Sequence, residues 1–153
     1  MVPSWLSIGG VGVGISFLFY RLFPSNFAWF MRLRRPEWLT FESVIPFIWI
    51  FIFLAGIGSA TLVWEASRDW VYMGGYLMLE LAILAYMPVL CGLRSLRAGA
   101  IMGATGWLLG SILAVFVWPV SQEAVLLLLP YLLWSPIGTY VTWAMIELNP
   151  GEA

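Results

Sequence analysis

The 153-residue chain has no histidine, and its seven basic residues are all arginine, so it has no lysine. Without imidazole, a His-ligated zinc, haem or copper site cannot form, nor can a Ser–His or Cys–His catalytic pair. A single cysteine, Cys91, excludes an intrachain disulfide and a cysteine metal cluster. Charge is scarce as well. Charged residues make up 10% of the chain and hydrophobic residues 62%, whereas a soluble domain carries about a quarter charged residues. Too few charges remain to solvate a surface, and the apolar content is far too high for disorder. With a mean hydropathy of +0.94, most of the chain needs lipid as its solvent. The net charge of −1 provides no basic footprint for nucleic acid.

Five apolar stretches remain, Trp5–Phe23, Ser43–Val63, Trp70–Cys91, Ala98–Trp118 and Ala124–Leu148. Each is close to the about 20 residues that a helix needs to cross a bilayer. Unpaired backbone groups are too costly in hydrocarbon, so the stretches are predicted as helices. No segment alternates apolar and polar residues as a membrane barrel strand would. The expectation is one all-α transmembrane domain over residues 1–153, a bundle of five helices. Nothing basic precedes the first stretch and no small-residue cleavage site follows it. It therefore reads as the first helix of the mature protein rather than a signal peptide.

The connections differ in kind. Trp64–Asp69 and Gly92–Arg97 are short, so the helices they join are antiparallel neighbours. The link over residues 24–42 is long and carries Phe27, Trp29, Phe30 and Trp38, which suits an ordered lid folded back on the bundle. Arg32, Arg34, Arg35, Arg94 and Arg97 all fall on the side of that loop, with Arg21 close by; Arg68 is on the other. The positive-inside rule then predicts a cytoplasmic C-terminus and an outside N-terminus, in a bacterial inner or photosynthetic membrane. Trp5, Trp64, Trp70 and Trp118 fall at the opposite, non-cytoplasmic ends, as an interfacial belt does.

Trp49, Trp107, Trp134 and Trp143 lie further inside the spans, where each is either lipid-facing or packed bulk, or the wall of a flat apolar pocket. Pro130 and Pro136 flank Tyr131 and Trp134; a bend there would aim both rings inward. Gly10/Gly14, Gly99/Gly103 and Gly106/Gly110 are small-xxx-small pairs, suited either to packing within the bundle or to a dimer face. Glu80 is the one acid deep in an apolar span. Such a residue is either a neutral side chain bonded to a neighbouring hydroxyl or carbonyl, or a contact to a ligand.

Three blocks carry a resemblance: Leu129-Pro130-Tyr131-Leu132-Leu133-Trp134 with Thr139-Tyr140 and Leu148-Asn149; Trp29, Leu33, Pro36, Trp38, Trp49 and Gly56; and Pro88 followed by Gly92-Leu93-Arg94. The first is similar to the L-P-Y-L-x-W…T-Y-L-N…L-N signature of the TspO/MBR family of tryptophan-rich sensory and translocator proteins. The second is similar to that family's W-Y-x-x-L-x-x-P-x-W-x-P-P…W…L-Y-x-x-x-G. The resemblance spans all five stretches. It implies a five-helix bundle, commonly dimeric, with a pocket beneath the first loop for porphyrins, other tetrapyrroles, sterols or apolar drugs. Carried over by position, that pocket would hold Trp38, Trp49, Phe53, Ile83, Tyr86, Trp134, Gly138 and Thr142; the proline reading adds Tyr131, and Glu80 is a further polar contact.

Some positions depart from the family pattern. Thr40-Phe41 stand where it has two prolines, Ile83 and Tyr86 where it has Asn and Trp, and Thr142 where it has Asn. Trp143 and Glu147 occupy the place of its sterol motif, which needs an aromatic followed by a basic residue. The leading expectation is a sensory or regulatory membrane protein that requires no cofactor for catalysis and holds a porphyrin, haem or chlorophyll-type tetrapyrrole. Its expected partners are lipid, a small apolar ligand, and either a second copy or a larger membrane complex. The alternatives are a pigment-binding subunit of such a complex, a photosynthetic one included, and a porphyrin-degrading enzyme that uses Trp134 or Tyr86. No acid–base pair is at hand for the enzyme reading, which is the weaker one, and no paired intramembrane charges or inverted repeats favour a transporter.

Overall fold

Where each helix starts and stops follows from local chemistry. The computed structural model describes residues 3–23 and 27–152; Pro24, Ser25 and Asn26 of the long loop lie outside them. Helix α1 (Ser4–Leu22) begins after Pro3, and α2 (Phe27–Phe30) is a single turn in the loop. A 3-10 turn, Glu42–Val44, leads into α3 (Ile45–Ser67), whose Pro46 sits in the first turn, where a missing N–H costs nothing. The Asp69 carboxylate accepts from Val71 N–H at 2.8 Å to open α4 (Trp70–Leu93). Ser95 does the same for α5 (Leu96–Val117), and Ser121 for α6 (Gln122–Leu148). Arg68 and Arg94, both left-handed at φ 53° and 48°, close α3 and α4.

Among the described residues five helices, α1 and α3 to α6, are long and apolar enough to cross a membrane. The fold is all-helical, as the sequence predicts. Helix α3 runs on from the expected Val63 to Ser67, where the Ser67 hydroxyl donates back to Val63 C=O at 2.8 Å. The turn before α4 is thus only Arg68 and Asp69.

Contacts between the spanning helices trace a ring, α1–α3–α6–α5–α4 and back to α1. The tightest seam, α5 against α6, depends on glycine. A Cβ at Gly106 would stand 2.6 Å from the Tyr131 hydroxyl, and one at Gly110 would stand 2.7 Å from its ring. The α5 glycines therefore admit the buried Tyr131 side chain, and Gly99 and Gly103 meet Leu90 and Thr139 in the same way. The main core lies between α3, α4, α5 and α6, around Ile52, Val63, Leu79, Leu113, Val117, Leu128 and Tyr131. Helix α1 stands apart from it, with no buried residue.

At one end the loop is tied down. Asn149 accepts from the Arg34 N–H at 2.9 Å and donates to the Arg34 carbonyl at 3.0 Å. Trp29 donates its indole N–H to Glu152 at 2.8 Å, and Leu96 N–H reaches the Glu152 carbonyl at 3.1 Å. Arg35 donates to the carbonyls of Phe30 and Leu33 and pairs with Glu42 at 3.2 Å. Beneath lies a small core of Leu33, Leu96 and Met145. Over residues 27–42 the loop forms a lid fastened to the chain's own C-terminal segment. At the opposite end Trp5, Trp70 and Trp118 are exposed, and the Trp64 ring lies 4.9 Å from that of Trp70.

Candidate functional site

A cavity of about 1170 Å³ opens between α1 and the rest of the bundle. It exists because α1 is slim and loosely seated. Gly12 faces into it and Gly9 meets Ile57, while Gly10 and Gly14 point into open space. The cavity runs from Trp64, Arg68 and Trp70 at the α3–α4 turn down to Ile83 and Tyr131. Exposed Val13, Leu54 and Leu77 also border it, so it reaches the lipid-facing surface on both sides of α1. Its volume is at or above the roughly 300–1,000 Å³ of ordinary small-molecule sites.

The walls are mostly aliphatic and aromatic, with few polar groups. Across α3, α4 and α6 the hydroxyls of Ser59 and Tyr76 lie 2.5 Å apart, and Ser59 donates onward to the Ala124 carbonyl at 2.7 Å. That trio satisfies itself. At the open end Ser4 donates to Glu65, bridging α1 and α3. Midway down, the Glu80 carboxylate accepts from the Ser16 hydroxyl at 3.3 Å.

The residues expected to form the pocket divide into two groups. Phe53, Glu80, Ile83 and Tyr131 line the cavity. Trp38, Trp49, Tyr86, Trp134, Gly138 and Thr142 do not border it; most sit towards the lid, where side chains close on one another. Tyr86 and Thr142 are hydrogen-bonded, and the Thr142 hydroxyl donates to the Gly138 carbonyl at 3.2 Å. Trp134 meets Phe41 of the lid edge-on at 6.4 Å between ring centroids. Trp49 lies 6.1 Å from the Phe53 ring, and both Trp49 and Trp134 pack on the main core. Trp38 stacks on Tyr140 at 5.8 Å, on the outside of α6, beside a shallow groove of about 510 Å³ shared with Pro136 and Ile137. Two further indoles are exposed: Trp143 faces outward, and Trp107 donates its N–H to the Leu132 carbonyl at 3.1 Å.

The α1 wall was not picked out from the sequence. Ser4, Ile8, Gly12 and Ser16 recur at every fourth residue along α1 and so share one face. That spacing is the signal by which Gly12 and Ser16 could have been found. What the arrangement offers chemically is a greasy slot, lined by the rings of Phe53, Tyr76 and Tyr131, with one carboxylate at mid-depth and two indoles at one end.

Comparison with known proteins accords with this architecture. The family model described as the TspO/MBR family matches residues 6–148. The protein CrtK of Rhodobacter capsulatus is 25% identical over 129 residues, which cover 82% of this chain and 81% of that protein. The tryptophan-rich protein TspO of Chlorobaculum tepidum is 23% identical over 146 residues, 92% of each chain. An uncharacterized membrane protein of Bacillus subtilis, YtaB, is 25% identical over 134 residues, 84% of each.

Proposed function

The chain belongs to the TspO/MBR family, and from that premise we propose that it is a multi-pass membrane receptor holding a planar apolar ligand, a porphyrin or related tetrapyrrole, inside its helix bundle, in a sensory or regulatory role. The observation that carries this reading is the cavity of about 1170 Å³ behind α1. Burial of a large flat molecule needs apolar walls and a few oriented polar groups. Phe53, Tyr76 and Tyr131 provide aromatic surface there, and Glu80 and Ser16 provide the polar groups. The ligand site of this proposal is therefore the α1 side of the bundle, with Phe53, Glu80, Ile83 and Tyr131 as its contacts. The lid-side residues Tyr86, Trp134, Gly138 and Thr142 lie outside it.

The proposal also sets an orientation. The lid end carries Arg32, Arg34, Arg35, Arg94 and Arg97, so it faces the cytoplasm, and the N-terminus and the tryptophan belt lie outside. The cavity then receives its ligand from the outer half of the membrane.

The test is spectroscopic. The protein, purified in mild detergent, is expected to carry a co-purified pigment band or to quench its tryptophan fluorescence saturably, at one site, when protoporphyrin is added. Absence of any pigment band together with unsaturable quenching would overturn the reading.

A further inference from the structure

The cavity holds one carboxylate at mid-depth, and its bonding capacity is largely unused. Glu80 lies ten residues into α4 from Trp70, about 15 Å along the helix, well inside the apolar layer. An ionisable side chain at that depth is costly to keep unless it is paired. A carboxylate can accept about four hydrogen bonds, yet among the described residues its only partner is Ser16, at 3.3 Å. The one basic residue that borders the cavity is Arg68, and it sits in the turn after α3 with its guanidinium 5.7 Å from the Trp64 ring.

The neighbours of Glu80 leave it open. Gly12 faces it from α1, where even an added Cβ would stand 3.5 Å from Oε1, so any larger side chain would cover the carboxylate. The Tyr76 hydroxyl, also on the cavity wall, is bonded to Ser59 behind it, and Ser59 donates on to the Ala124 carbonyl. An ionised carboxylate only accepts, so a ligand that pairs with it in that form brings the donor. A ligand whose own carboxylate came near would be repelled. An N–H bonded to a carboxylate is among the stronger hydrogen bonds, and more so away from water.

We propose that Glu80 is the recognition group of the cavity, and that its preferred occupant is an apolar molecule carrying a nitrogen donor, an amine or ring N–H, that bonds to the Glu80 carboxylate. This rests on the reading that the cavity behind α1 holds a ligand. It adds the chemical class of that ligand.

The experiment uses the full chain in dodecyl maltoside, a neutral detergent, with two probes of the same ring, 1-pyrenemethylamine and 1-methylpyrene. Energy transfer from tryptophan to pyrene reports binding. The amine is expected to bind about tenfold more tightly than the hydrocarbon, a ratio one charge-assisted hydrogen bond can support. In Glu80→Leu the amine should fall to the affinity of 1-methylpyrene, while 1-methylpyrene still binds and so reports an intact cavity. Glu80→Gln, which keeps size and an acceptor but no charge, should lie between. If the amine has no advantage in the unaltered protein, or keeps it in Glu80→Leu, the assignment of Glu80 is overturned while the cavity reading stands. If neither probe binds the unaltered protein saturably, both are overturned.

Discussion

Asn149 brackets Arg34. Its side-chain carbonyl takes the Arg34 N–H and its side-chain amide gives a hydrogen to the Arg34 carbonyl, at 2.9 and 3.0 Å. One side chain after the last helix thus treats a residue of the lid as a strand treats its neighbour. The same amide also donates to Met145 at 2.8 Å, which fixes its orientation. The lid is held by the C-terminal segment as much as by the small core below it.

Asn149→Ala should therefore loosen the lid without disturbing the spans. A loss of about 1–3 kcal/mol is expected, the range for leaving former partners unpaired. Thermal unfolding in detergent would show it as a lower midpoint. Hydrogen exchange should rise over residues 27–44 and stay unchanged in α5. An unchanged midpoint and unchanged exchange would mean that the bracket does not hold the lid.

The α5–α6 seam gives a second test. Gly110→Ala places a Cβ about where the Tyr131 ring now lies, 2.7 Å away, and overpacking of this kind typically costs about 1–3 kcal/mol. Gly14→Ala meets nothing within 4 Å and should leave stability alone or raise it slightly, because alanine favours the helix. Paired melting curves separate the two. Equal midpoints would contradict the close approach of α5 to Tyr131.

Placing the ligand behind α1 sorts the aromatic residues. Trp38 stacks on Tyr140 outside the cavity, so Trp38→Ala should change protoporphyrin affinity by no more than about twofold. Ile83 borders the cavity at its deep end, and Ile83→Trp should weaken binding by about tenfold or more by filling that end. The reverse order of effects would move the site to the lid.

Much of the fold is legible in the sequence because lipid simplifies the problem. Backbone groups in hydrocarbon must pair within a helix, so five apolar runs become five helices. The third span starts at Trp70 as expected, after the Asp69 cap, whereas the caps Ser95 and Ser121 start their helices at Leu96 and Gln122, two residues before the expected Ala98 and Ala124. The aromatic loop reads as a lid for the same reason that it is one: Trp29 and Leu33 have surface to bury. The site is less legible. Trp49 and Trp134 could face a pocket or a core on sequence grounds. What decides is the pairing of Tyr86 with Thr142 and of Trp134 with Phe41, contacts between distant parts of the chain. Glu80 stands out in the sequence as an isolated acid, but its exposure to a cavity depends on Gly12 and Ser16 of a different helix.

The most direct measurement compares two glycines two residues apart on α1. Gly12 faces the cavity and Gly10 faces open space. Protoporphyrin is titrated into the purified protein and into Gly12→Leu and Gly10→Leu, with tryptophan fluorescence as the readout. A leucine at Gly12 occupies the slot beside Glu80, so saturable quenching should weaken by about tenfold or more there and persist in Gly10→Leu. Undiminished binding in Gly12→Leu would contradict a ligand site behind α1.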